Sequence, residues 1–135
     1  MLLVKTKLGP SSVHGIGLFA DQFITKGTKT WECNPVFDVA FTREQVSQLP
    51  DFAQERFFDH SYLDKKQDKY ILCGDDLRFI NHSTSPNILS TPDYDIAAHD
   101  IQKGEELLCN YNHYEEDYFE RRSIDEKTFD KKNIH

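Results

Sequence analysis

The chain has 135 residues, a formal net charge of −7, and ten Phe with six Tyr. That length supports one hydrophobic core and excludes two, and the aromatic content argues for a folded domain over a disordered one. The acidic balance disfavours nucleic-acid binding, which needs clustered Lys and Arg, and suits a basic partner such as a Lys- or Arg-rich peptide.

The N-terminal part, "LLVKTKLG" and then "GIGLFADQFITKGTKTWE", reads as short strands broken by Gly turns, with Lys26-Gly27 as one of them. "TKTWECNPVFDVAF" continues with strand-like aromatic and branched residues. The period then changes. Thr42 with Gln45 three residues on resembles a capping box, and Val46, Leu49, Phe52, Ala53 and Phe57 follow helical spacing. Pro50 interrupts the run, so two short helices are predicted within an insert around residues 42–60. "SYLD" and "KYIL" flank the polar "KKQD" and predict a hairpin. "YDIAAHDI" predicts a strand with Ile96, Ala98 and Ile101 as its apolar positions, and "KGEELLCNY" a turn into a further strand. The tail from His113 is charged but carries Tyr114, Tyr118 and Phe119, as a short helix or a docked arm whose last ten or so residues fray. The sum is a mainly β domain with short helices, its core over 1–112 and a cap and tail over 113–135.

No stretch approaches the roughly 20 apolar residues of a membrane span, and "MLLVKTKLGP" lacks a signal-peptide pattern. An intracellular chain, cytoplasmic or nuclear and free of membranes, is expected. Cys33, Cys73 and Cys109 form no Cys-x-x-Cys pair, so reduced, mostly buried thiols are expected and no metal site.

Three segments carry chemistry. In "RFINHSTSPN" an apolar run passes straight into Asn81 and His82, polar groups that must find partners when buried. They either brace the following turn or line a site for something polar. In "HGIGLFA", Gly15 and Gly17 allow close backbone approach, although a lone Gly-x-Gly is usually a turn. In "GEELLCNY" an apolar strand ends at Tyr111.

Together and in this order the three segments resemble the SET-domain family of protein lysine methyltransferases, over roughly residues 5–112. "SYL" at Ser61–Leu63 resembles the segment that carries a site tyrosine in many members. The resemblance implies a β-clip fold of small curved sheets, with the C-terminal segment threaded beneath a loop in a knot-like core that brings Asn81 and His82 beside Tyr111. It implies S-adenosylmethionine as cofactor and transfer of its methyl group to lysine on a basic, histone-like protein segment. By position in the motifs, Tyr111 and Tyr62 are the catalytic candidates. His14, Gly15, Ile16 and Gly17, then Arg78, Asn81 and His82, join those tyrosines as cofactor candidates. Phe79, Cys109, Tyr114 and Tyr118 are the candidates for the lysine channel.

The chain departs from the pattern in lacking the cysteine-rich clusters that flank many members, and Thr84 stands where the diagnostic motif often has a cysteine. The cap must therefore be built otherwise, and Tyr114, Tyr118 or Phe119 is expected to supply it. Cys109 stands where members often place Phe or Tyr, so more than one methyl is expected to fit. A homodimer is one way so small a chain could complete its peptide groove. The competing reading is a catalytically silent SET-like module that binds peptide or cofactor.

Overall fold

The fold is described from a computed structural model of the protein, over residues 1–91, 93–115 and 118–121. Short strands separated by turns give several small sheets rather than one large one. Strands β1 (Thr6–Pro10) and β2 (Ile16–Ala20) form an antiparallel hairpin with Leu8 opposite Leu18. Strand β3 (Lys29–Glu32) joins β8 (Ile88–Ser90) and β9 (Tyr94–Ala97) in a three-stranded antiparallel sheet with β9 at its centre. A second three-stranded sheet holds β4 (Val39–Phe41), β5 (Ser61–Asp64) and β6 (Lys69–Leu72), with β6 central. Finally β7 (Asn81–His82) pairs in parallel with β10 (Leu108–Cys109).

One core serves these sheets. Leu18, Ala20, Ile24, Ile101, Leu107 and Cys109 are almost fully buried. Backbone bonds from Leu107 N to Leu18 O (2.7 Å) and from Ala20 N to Glu105 O (2.9 Å) bring the C-terminal segment alongside β2. Ile24 and Ile101 form a further bridge.

The insert follows its local signals. Thr42 caps α1 (Arg43–Ser47): its hydroxyl accepts from the Gln45 N–H at 3.1 Å, and the Gln45 side chain accepts from the Thr42 N–H at 2.9 Å. Pro50 opens α2 (Asp51–His60), as its fixed φ and missing N–H favour at a helix start. Phe57 packs edge-on against Phe41, Phe58 and Tyr70, a small aromatic cluster beneath α2. Phe52, expected on the apolar face, is instead 74% exposed.

The strand-like stretch "TKTWECNPVFDVAF" holds two strands, with a turn at Asn34–Phe37 separating β3 from β4. There the Asn34 side chain accepts from the Val36 N–H and its carbonyl from Phe37 N. Buried Asp38 fastens this turn by accepting from the N–H groups of Asn34 and Gly74. Cys33, just before it, is exposed, while Cys73 and Cys109 are buried. Strand β9 lies in the opposite phase to that expected, with Asp95 and Ala97 inward and Ile96 only half-buried. Among the described residues no helix is long and apolar enough to cross a membrane. The frayed end expected over the last ten residues lies outside the described residues.

Candidate functional site

The parallel pair of β7 and β10 sets Leu108 beside Asn81 and Cys109 beside His82, and Ser83 N continues the contact to Cys109 O at 2.9 Å. Tyr111 follows directly, as the first residue of a single 3₁₀ turn, Tyr111–His113. Its backbone N–H donates to His82 Nδ1 at 3.1 Å, and its hydroxyl donates to the Ile80 carbonyl at 2.6 Å. An Nδ1 that accepts carries no proton, so the His82 ring is a positioning group on that side, not a proton donor. The phenol spends its hydrogen on Ile80, so toward any other group its oxygen can act only as an acceptor.

Asn81, 3% exposed, reaches the other way. Its amide Nδ2 donates to His14 O at 2.8 Å, to Ile16 O at 3.3 Å and to Glu106 Oε2 at 3.0 Å. The Glu106 carboxylate also accepts from the Ser11 hydroxyl at 2.8 Å. Gly15 has a φ of 46°, a left-handed conformation that disfavours other residues. Gly17 matters for a different reason: a Cβ there would lie 2.5 Å from Glu106 Oε2, so the carboxylate would have to shift. The close approach that the Gly pair foretold is, at Gly17, to a carboxylate of the chain itself. Asn87 completes the clip. Its Nδ2 donates to Glu106 O and its Oδ1 accepts from Leu108 N, both at 2.8 Å, much as a strand neighbour would.

Tyr111 also lines a cavity. Aromatic walls come from Tyr62, Tyr111, Tyr114 and Tyr118, with Ile80 and Cys109 between them and Arg78 among the remaining lining residues. Tyr114 meets the rings of Tyr62 at 5.3 Å and Tyr111 at 5.9 Å, and Tyr118 meets Tyr111 at 4.7 Å. Helix α3 (Tyr118–Arg121) also carries Phe119, which packs edge-on against His82 at 4.7 Å. Burial pushes the Tyr62 and Tyr114 phenols and the Cys109 thiol up from their ordinary values, so all three stay neutral at physiological pH.

The sequence-derived residues therefore fall into two groups that meet at Tyr111. His14 and Ile16 are gripped by Asn81 and, with His82, form a polar backbone side; Tyr62, Cys109, Tyr114 and Tyr118 form an aromatic side. Phe79 does not line the cavity: it packs against the His60 ring at 5.3 Å, with the Arg78 guanidinium over its face. Sequence reasoning missed Glu106, Asn87 and Ser11, which lay in or beside quoted segments. Gly17 was the available signal, since a glycine within a strand often marks a close neighbour.

A family model described as "SET domain" matches residues 15–112. The chain belongs to the SET-domain family. In structure, this SET domain is similar to a candidate histone methyltransferase from Plasmodium falciparum, with a TM-score of 0.60 and 24% identity over 83% of this chain and 96% of that one. It is also similar to a chain of Chaetomium thermophilum polycomb repressive complex 2 in an autoinhibited conformation bound to S-adenosylmethionine. That match has a TM-score of 0.63 and 20% identity over 93% of this chain, but only 17% of the larger one. An active form of polycomb repressive complex 2 in its basal state gives a TM-score of 0.60 at 24% identity, over 80% of this chain and 15% of that one. These likenesses establish the mainly β SET fold. No curated protein matches the chain in sequence.

Proposed function

We propose that the protein is an S-adenosylmethionine-dependent protein-lysine N-methyltransferase acting on a basic protein segment, with Tyr111 as its central catalytic residue. The observation that carries this reading is that Tyr111 both contacts His82 on the polar backbone side and lines the aromatic-walled cavity. Methyl transfer from a sulfonium to an amine is an in-line displacement, so donor and acceptor must reach the methyl group from opposite sides. On this reading the cofactor lies against the His14–Gly17 backbone, Asn81 and His82, and supplies an electrophilic methyl group. Asn81 holds that backbone in shape rather than spending its amide on the cofactor alone.

The lysine stem enters between Tyr62, Tyr114 and Tyr118. A free lysine has a pKa near 10.4 and arrives protonated. Desolvation by aromatic walls and repulsion from a sulfonium both favour the neutral amine. The lone pairs of the Tyr111 oxygen can then orient the amine and contact the methyl hydrogens, and proximity supplies much of the acceleration. Tyr118 and Phe119, packed on Tyr111 and His82, act as the cap. Cys109 is small, so the channel accepts an already methylated amine and more than one methyl is added.

The net charge of −7 suits a histone-like or other basic substrate. The match to histone methyltransferases points the same way. The test is calorimetric titration with S-adenosylmethionine, then methylation of an array of lysine peptides from histones and ribosomal proteins. Cofactor binding with methylated peptides supports the reading. Cofactor binding without transfer to any protein lysine favours the silent binding module.

A further inference from the structure

The aromatic cavity has a polar floor that the family motifs do not account for. Strand β9 sits between β3 and β8, with Asp95 directly opposite Trp31 on one side and Ser90 on the other. Directly opposed residues share a sheet face, so these three side chains form a row. All three are buried, with Asp95 only 4% exposed, and all three line the cavity that Tyr111 lines. An inward carboxyl on a strand of a small core costs stability unless it has work or partners. One donor of the row, Trp31 Nε1, is buried with no hydrogen bond in range, while the Ser90 hydroxyl faces both Asp95 and Cys109. These groups line one shared space together with the Cys109 thiol and Tyr111. The thiol feels both the Asp95 charge and the Ser90 hydroxyl.

We propose that Asp95 accepts the proton of the incoming lysine ammonium, across the space that Cys109 leaves beside Tyr111. This rests on the lysine methyltransferase reading. In the step an N–H bond of the ammonium breaks and its electron pair stays on nitrogen. The proton passes to an Asp95 carboxylate oxygen, directly or through one water, and is later released to solvent. The neutral amine then attacks the methyl group. Burial pushes the Asp95 carboxyl up to about 7, against the pull of the Ser90 hydroxyl and the Met1 ammonium toward the ionised form. An acceptor near the working pH is the most efficient kind.

The groups that face Asp95 do not compete for the role. From β3 comes only the indole of Trp31, from β8 the Ser90 hydroxyl, and from β10 the Cys109 thiol, held neutral. Cys73 is likewise held neutral by burial, as are the Tyr62 and Tyr114 phenols described above. Asp59, His60 and Arg78 line the same cavity from more solvent-accessible positions.

The test is the pH profile of kcat/KM for wild type and Asp95→Asn, with the best acceptor peptide from the array. Wild type should rise through about pH 7 and then level off. Asp95→Asn should fall at least tenfold below it at pH 7.5 and converge with it toward pH 10, where the peptide lysine deprotonates by itself. Profiles that stay parallel, whether equal or uniformly lowered, would overturn the proposal and leave Asp95 a structural residue. Wild type without transfer at any pH would instead sink the methyltransferase reading, and this inference with it. Thermal melts keep the comparison interpretable. Because the folded-state value lies above the ordinary one of 3.8, wild type loses stability as pH rises from 4 to 8. The Asn variant should therefore gain in melting temperature relative to wild type over that range.

Discussion

The crossing of β7 with β10 and the helical insert over residues 42–60 are built on different principles. In the insert, contacts are local: a capping box, a proline start, and an aromatic cluster beneath a ten-residue helix. Its surface tolerates an exposed Phe52, and Val39 of the adjoining strand is half exposed as well. At the crossing nearly every polar group is satisfied by a residue far away in the chain. Asn81 reaches back 67 residues to His14, and Tyr111 reaches back 31 to Ile80. Local signals can make a stable element, but they cannot hold three segments in one geometry. That work falls to buried amides and a buried phenol whose partners are fixed by the fold.

Substitutions should separate the two regions. The largest effect is expected at Tyr111→Phe, which removes a hydroxyl but no ring packing. Methyl transfer should fall by about a hundredfold or more, the scale of losing one oriented polar group at a reacting centre, while cofactor affinity changes little. Single-turnover kinetics with radiolabelled cofactor measure both. Loss of binding along with turnover would mean that Tyr111 is structural.

Phe57→Ala tests the insert. Removing a buried ring from its cluster should cost about 3 kcal/mol in urea unfolding. Activity per folded molecule should persist, since Phe57 does not line the cavity. Asn81→Ala should cost about 2–3 kcal/mol, because two carbonyls and the Glu106 carboxylate lose their donor. Unlike Phe57→Ala, it should also weaken S-adenosylmethionine binding in folded protein, measured by calorimetry. Equal affinity in the two variants would erase the distinction between the regions. The smallest effect is expected for Thr42→Ala, about 1 kcal/mol from the lost helix cap, with no change in methyl transfer.

The same contrast explains what could be read from the sequence. The capping box, Pro50 and the Ser61–Leu72 hairpin are written in neighbouring residues, and the structure has them at the expected places. The site motifs were legible because their residues stand in unbroken runs, and the matching family model covers them from Gly15 onward. Glu106 was hidden, because nothing in "GEEL" tells which carboxylate turns inward against Gly17. Asp95 was hidden more deeply. Alternation nominated Ile96, yet pairing with Trp31 and Ser90 fixed the other phase. A one-residue change of phase moves every side chain to the opposite face. Phe79 was hard to place for the opposite reason: its position beside Ile80 suggested an inward ring, whereas the 3₁₀ turn sets that ring against His60.

The most direct test of a methyl-transfer centre at Tyr111 uses S-adenosylmethionine bearing a deuterated methyl group, with tandem mass spectrometry of a basic protein acceptor mixture. The account predicts deuterated methyl on lysine side chains, up to more than one per lysine, with the signal nearly lost in Tyr111→Phe. Labelled cofactor bound by the folded protein, with no deuterium on any lysine after prolonged incubation, would contradict it.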